Sequence, residues 1–524
     1  MALGVAVAQS RFENPREILG DRLRLGSLYR LLADHGDRLF PDDYFADLYK
    51  VSSRGRPTVP ARVLATVMVL QAFEGLSDRE AADRLEVDLR WQAAAGVDTG
   101  AETFHPTVLV GQRNRLRASA RPRRLFEDTK VVARQAGVLR GRARVLDSTP
   151  VYDAVATQDT VTQLRAAIRK LLVILDKTVP RLAARVRGVL ARDDEYATAG
   201  KPPCDWDDPA AREALVDALV HDALAALVVL DGELLIGVAR DAADLLAVVA
   251  GQDVAEGDDG VFRIVRGVAR DRVISTVDPE ARHGHKSRNR RFDGYKAHTS
   301  VDPDSELIDE VTVTPANTPD RDAVDDLLAE HADVADKPTV VGDSAYADGA
   351  TRERLEDHGY EVLSKTPPVR NSTGGFPKDR FVVDPDGGSV TCPADHTVMI
   401  RAGWGGGGKA SFAAHCVDCP LRGDCTKSRR GRTISVHPQE AILQRARADQ
   451  TSPEWKARYR ADRPIVERKI AHLMRRAWGG RRARTRGRVR VATDIDTRAG
   501  AINLARLAVL GLDFNHGGWT IATT

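Results

Sequence analysis

Apolar residues recur at helical spacing near the start of the chain. Val63, Val67, Leu70 and Phe73 fall on one face of a segment that opens with Pro60. Ser77, with Glu80 three positions on, has the form of a capping box. It predicts a helix over 78–85, followed by a second over 87–91. Two short helices with a tight link resemble a helix-turn-helix, so residues 1–138 are expected to form a helical DNA-binding domain. At Ala143 the pattern shortens to an apolar run that ends in Asp147, as in a buried strand. Leu164, Ile168, Leu171, Leu172 and Leu175 then share a helical face, and Asp208 followed by Pro209 marks another helix start. Residues 160–275 therefore read as a helical insert.

Strand-like alternation follows. Residues 295–301 and 307–313 alternate about an Asp302-Pro303-Asp304 turn, which predicts a hairpin. A helix over 320–331, an apolar strand ending in Asp343, a helix over 351–358 and a strand over 361–364 come next. Hairpin, helix, strand, helix, strand is an α/β succession. The 524-residue chain is 42% hydrophobic and 29% charged, ordinary for a soluble protein. Its longest apolar run, 223–230, is far below the roughly 20 residues needed to span a bilayer. A cytoplasmic protein with no membrane partner is expected.

Net charge is only +3, but its distribution is uneven. Asp147 and Asp343 each close an apolar strand. Carboxylates there are costly without a partner, and together they suit Mg²⁺ or Mn²⁺, which take oxygen ligands. Either one alone is as readily a turn or helix cap, with Ser148 and Ser344 following. Tyr459, Arg463 and Glu467 are spaced by four, along one helical face; Pro464 places the expected helix start near Arg463. Between Arg463 and Arg490 stand eleven Lys and Arg against the single acid Glu467. An acid in such a field calls for a local reason. Metal ligation is one, and an ordinary Glu–Arg helix pair is the other.

Two basic segments suit phosphate backbone. One holds Arg475, Arg476, Arg481, Arg482, Arg484 and Arg486; the other holds Lys286, Arg288, Arg290, Arg291 and Lys296. Trp404 and Trp478 suit base stacking or, more ordinarily, core packing. Four of the five cysteines, Cys392, Cys416, Cys419 and Cys425, cluster within 34 residues and suit structural Zn²⁺. His396 and His415 are spare ligands, and Cys204 stands apart.

The contexts of the three acids, VLDSTPVYDAVATQDT, VVGDSAYADG and YRADRPIVERKIAHL, resemble the DDE signature of bacterial insertion-sequence transposases. Tyr459, Arg463 and Glu467 are similar to the YREK block of one superfamily; the family lysine falls at Met474, beside Arg475 and Arg476. KSRNRRFDGYKAHTSVD and GRPTVPARVLATVMVLQAFEGLSDREAADRL are also similar to that family. The resemblance covers about residues 20–510. It implies an α/β RNase H-like catalytic domain over 139–515, with the helical insert, a zinc-knuckle insert over 388–430 and a tail at 516–524. It further implies two Mg²⁺ or Mn²⁺ ions on Asp147, Asp343 and Glu467, double-stranded DNA ends and target as substrates, and a homo-oligomer in the DNA complex. The alternatives are a metal-dependent nuclease without strand transfer and an inactive zinc-containing DNA-binding protein.

Overall fold

A computed structural model describes residues 13–49, 58–194, 196–287, 289–367, 369, 374–403, 405–476 and 479–521. Arg288, Trp404 and Trp478 lie outside the described residues.

The centre of the molecule is a six-stranded mixed sheet. Its strands are β1 (Ala143–Tyr152), β2 (Arg282–Ser287), β3 (Arg290–Val301), β4 (Ile308–Pro315), β5 (Thr339–Gly342) and β6 (Val362–Ser364). β1 is central. It pairs antiparallel with β3 along one edge and parallel with β5 along the other, with Val145 opposite both Val301 and Val341. β4 and β2 share the far edge of β3, and β6 continues the sheet parallel to β5. The β3–β4 hairpin matches the alternation in the sequence. The expected helix over 320–331 is instead a 3₁₀ turn, the short helix Val324–Leu328 and another 3₁₀ turn.

β1 differs from expectation in a way that shapes the site. It runs five residues past Asp147, which is therefore mid-strand and not terminal. The extension persists because β3 pairs with it as far as Tyr152. On the opposite edge β5 stops pairing at Val341, and the segment around Arg482 bridges only at Tyr152. Between those two contacts one edge of β1 is uncovered, and Asp147 to Thr149 stand there.

Helices Ser27–Leu39, Asp78–Val87, Leu89–Ala95 and Thr107–Ala118 pack on α1 (Ala61–Glu74), which is buried nearly all round; its apolar residues therefore occupy every face and not one stripe. The capping box at Ser77 is present, and helix Asp78–Val87 follows it. The next helix, Leu89–Ala95, departs from the helix-turn-helix expectation. Trp91 to Ala95 are all buried, which leaves Arg90 as the exposed residue of the second helix. Helix α2 (Arg124–Gln135) joins this layer to the sheet.

The insert has its own core. Helices Thr160–Thr178, Pro180–Arg187, Pro209–Leu230 and Val238–Gln252 pack through Leu164, Leu171, Leu219 and Leu246. It is not wholly helical, because Val254–Glu256 and Phe262–Ile264 form a small hairpin. The cysteine region is a module of two three-stranded sheets spanning Val382–Asp384 to Thr433–Val436, wider than 388–430.

Two long helices close the fold, α3 (Pro453–Leu473) and α4 (Arg488–Val509). α3 begins at Pro453, capped by Ser452, and continues through Pro464. A proline in a helix interior removes one hydrogen bond. Pro464 is exposed, so water meets the freed carbonyl, while Tyr459, Val466, Ile470 and Leu473 bury the opposite face. α4 is shared between layers: Ile495 and Ala499 belong to the sheet core, whereas Ala501, Leu504 and Leu507 belong to the N-terminal core. The stretch expected as a tail from 516 instead carries strand Gly518–Ile521, paired with Leu512–Asn515, and buries Trp519 in the N-terminal core.

Candidate functional site

Asp147 and Asp343 are near enough for the charge of one to act on the other. Their register follows from β1 and β5, which pair in parallel up to Val145 and Val341; two residues on, each chain carries its aspartate. Neighbouring strands lie about 4.8 Å apart. Asp343 accepts a hydrogen bond from the Ala345 amide at 2.9 Å, and Asp147 accepts one from the Ser148 amide at 2.8 Å.

α3 supplies the rest. Arg463 projects to the edge of β1, and its Nη2 lies 2.9 Å from Asp147 Oδ2 and 3.9 Å from Glu467 Oε1. Two carboxylates from residues 320 positions apart thus meet one guanidinium nitrogen, no further apart than those two distances laid end to end. Tyr459, one turn earlier, is buried and stacks on Trp455 at 4.9 Å. Burial pushes the Asp147 carboxyl above its ordinary range; Arg463 opposes the shift and the charge of Asp343 adds to it. Glu467 is open, with 63% of its side chain exposed against 18% for Asp147. The cluster is walled on the sheet side and accessible from the helix side.

Beneath Asp147 lies a layer that sequence reasoning missed. Ser148 Oγ donates to Asp320 Oδ2 at 2.9 Å, and Lys296 Nζ donates to Asp320 Oδ1 at 2.7 Å. Tyr346, fully buried, has its hydroxyl 3.0 Å from Nδ1 of His298, whose Nε2 lies 2.9 Å from Thr314 Oγ1. Burial pushes the His298 pKa down to about 4, so this histidine is neutral near pH 7. Ser148 and Tyr346 lie within the two aspartate motifs, which was the available signal; Asp320 had the look of a helix start and nothing more.

The basic residues divide. Lys296 is in the ion pair with Asp320. Arg481 donates to Thr149 Oγ1 at 2.8 Å, and Arg484 donates to the Leu76 carbonyl at 2.7 Å, which ties this loop to the N-terminal helices. Lys286, Arg290 and Arg291 are exposed on the β2–β3 hairpin, and Arg475, Arg476, Arg482 and Arg486 are exposed after α3.

Cys392, Cys416, Cys419 and Cys425 line one small cavity together with His415. None is in a disulfide. Burial raises the Cys425 thiol, and the sulfurs of Cys416, Cys419 and Cys392 raise it further. The rings of His396 and His415 stack at 4.7 Å.

Residues 266–504 match the family model described as Transposase DDE domain, and residues 17–115 match the Transposase domain (DUF772). Both models are of transposase domains, and each covers less than half of the chain; together they support a transposase. No curated protein and no solved structure matches it. The DDE match includes Asp343 and Glu467 and begins after β1, so Asp147 joins them through the sheet and not through the matched segment. A DDE domain implies an RNase H-like core, and this chain has a mixed α/β sheet consistent with one. Such domains typically use divalent metal ions. Among the described residues, no three His, Cys, Asp or Glu side chains stand in ligating geometry. The donor set nevertheless suits a hard cation, because its carboxylate oxygens already face the positive charge of Arg463. No helix of the described residues is long and apolar enough to cross a membrane.

Proposed function

We propose that this transposase cleaves DNA strands and joins their 3′ ends to target DNA, using Asp147, Asp343 and Glu467 as ligands for two Mg²⁺ or Mn²⁺ ions. The observation that carries this is the meeting of Asp147 and Glu467 on one nitrogen of Arg463, with Asp343 one residue past the end of the adjoining strand β5. Bound ions would activate a water or a 3′-hydroxyl and stabilise the leaving oxygen.

The protein's own groups prepare that chemistry. The sheet fixes Asp147 on β1 and starts the turn that carries Asp343 just past β5, with both side chains half-buried. Arg463 holds Asp147 in place and balances its charge. Glu467 sits at the open rim, where its side chain is free to turn inward. Lys286, Arg290, Arg291, Arg475, Arg476, Arg482 and Arg486 contact phosphates around that rim. Four thiolates, from Cys392, Cys416, Cys419 and Cys425, hold a structural Zn²⁺. The protein acts in the cytoplasm, on the double-stranded ends of its element and on target DNA, as a homo-oligomer.

The test is cleavage and joining of duplex DNA with Mg²⁺ or Mn²⁺. Asp147→Asn, Asp343→Asn and Glu467→Gln are each expected to lose more activity than the about 10–100-fold typical of outer-shell partners, with DNA affinity retained. Cleavage that survives all three substitutions removes the carboxylates from the mechanism. Cleavage by the unaltered protein without joining leaves a nuclease.

A further inference from the structure

We propose that one face of the cysteine module is a second DNA-backbone contact, distinct from the carboxylate site. The face belongs to the sheet of Arg401–Ala402, Gly408–Ser411 and Thr433–Val436. Alternation divides this sheet cleanly. Ala410, Ile434 and Val436 turn into the module's core, whereas Lys409, Ser411, Thr433 and Ser435 are exposed on the other side. Register then sets the exposed groups in rows: Arg401 is opposite Lys409, Lys409 is opposite Ser435, and Ser411 is opposite Thr433. Two cations and three hydroxyls form a continuous polar surface.

This surface lines a cleft of about 1010 Å³. Glu440 is the acid in its wall; it is buried and already paired with Lys378 and Arg447. No ion pair engages Arg401 or Lys409 among the described residues. The lining therefore offers positive charge and hydroxyl donors with no free carboxylate to repel an anion. Phosphate oxygens accept from such groups, and a strand of DNA backbone presents them repeatedly, as a row of cross-strand donors requires.

The cleft is fixed to the catalytic side of the molecule. His437, in its wall, packs against the first residue of helix Gly349–Asp357, where a Cβ on Gly349 would lie 2.9 Å from the imidazole. That helix begins six residues after Asp343. Gln439 and Arg445 add contacts to Glu353 and Glu356 of the same helix. The basic surface is thereby tied to the helix that follows Asp343. This inference rests on the DNA-processing reading and extends it to a separate module.

The experiment uses the full chain and a DNA duplex, with affinity measured across a salt series. Counterion release gives a slope near −0.9 per neutralised phosphate. The Arg401→Ala/Lys409→Ala variant is expected to bind about tenfold or more weakly at low salt, with a slope shallower by about 2. Arg401→Lys is expected to keep the wild-type slope. In the unaltered protein, DNA is expected to protect Lys409 from acylation, a readout that needs no variant to fold. An unchanged slope in the double variant, or unprotected Lys409 in a DNA-bound wild type, overturns the inference while leaving cleavage at the carboxylates standing. Protection of Lys409 by polyglutamate equal to that by DNA also overturns it, since any polyanion then suffices. Failure of the carboxylate reading is seen separately, as wild-type protein that binds DNA and does not cleave it.

Discussion

At the scale of single residues, Arg463 is the pivot. It is 12% exposed and pairs with an aspartate that is 18% exposed, so each charge depends on the other for its burial. Removing one member of a buried pair costs up to about 3–5 kcal/mol, and this pair, partly solvated, falls toward the lower end. Arg463→Ala is therefore expected to lower the urea midpoint in the presence of a chelator. Added Mg²⁺ should recover part of the loss, because a cation on Asp147 replaces the missing guanidinium. An equal deficit with and without Mg²⁺ speaks against metal at Asp147. Glu467 contrasts with Asp147: it is solvated, and Glu467→Gln should leave stability within about 0.5 kcal/mol, as surface changes usually do.

At the scale of elements, the cysteine module and the capped helices behave differently. The module's hydrophobic core is small, built on Phe381, Val390, Phe412 and Ile434 with Cys416 and Cys425 among them. Small units of this kind need a staple, and on the proposed reading the four cysteines that line one cavity supply it by binding zinc. One equivalent of zinc per chain is expected by elemental analysis, and Cys416→Ser is expected to lose it and to expose sites in 376–436 to protease. Full zinc content in that variant removes Cys416 from the ligand set. The helix pair after Ser77 was legible because a cap is a local hydrogen-bond pattern. The setting of Trp91 was not, since its indole donates to Glu74, which also accepts from Tyr29, and both partners come from other helices.

At the scale of the whole molecule, the N-terminal helices and the sheet are joined by a charge network. Arg123, preceding α2, pairs with Glu310 of β4 and, at 3.1 Å, with Asp496 of α4. Lys130 bridges Glu310 and Glu330. Burial pushes the Asp496 carboxyl up to about 7; Arg123 opposes the shift and Glu310 reinforces it. An acid raised in the folded state holds a proton that the unfolded chain releases near pH 4, so its contribution to stability falls as pH rises from about 4 to 7. His298 works the other way, because its folded pKa of about 4 lies below the unfolded value and stability rises as it deprotonates. Comparing Asp496→Asn with wild type isolates the first effect: between pH 5 and 8 the variant's urea midpoint should decline less. Parallel pH profiles would show that Asp496 does not titrate there.

Local chemistry in the chain determined a good part of this protein: the short apolar runs into Asp147 and Asp343, the β3–β4 hairpin about Asp302, the Ser77 cap, the helix carrying Arg463 and Glu467, and the grouping of four cysteines. Each depends on spacing within a few residues, so periodicity and turn chemistry were enough. Tertiary structure decided the rest. It left an edge of β1 uncovered beside Asp147, carried α3 unbroken through Pro464, brought Ser148 to Asp320, and drew the C-terminal hairpin into the N-terminal core. These outcomes come from packing between segments hundreds of residues apart, where the free energy lies in contacts that no local pattern records.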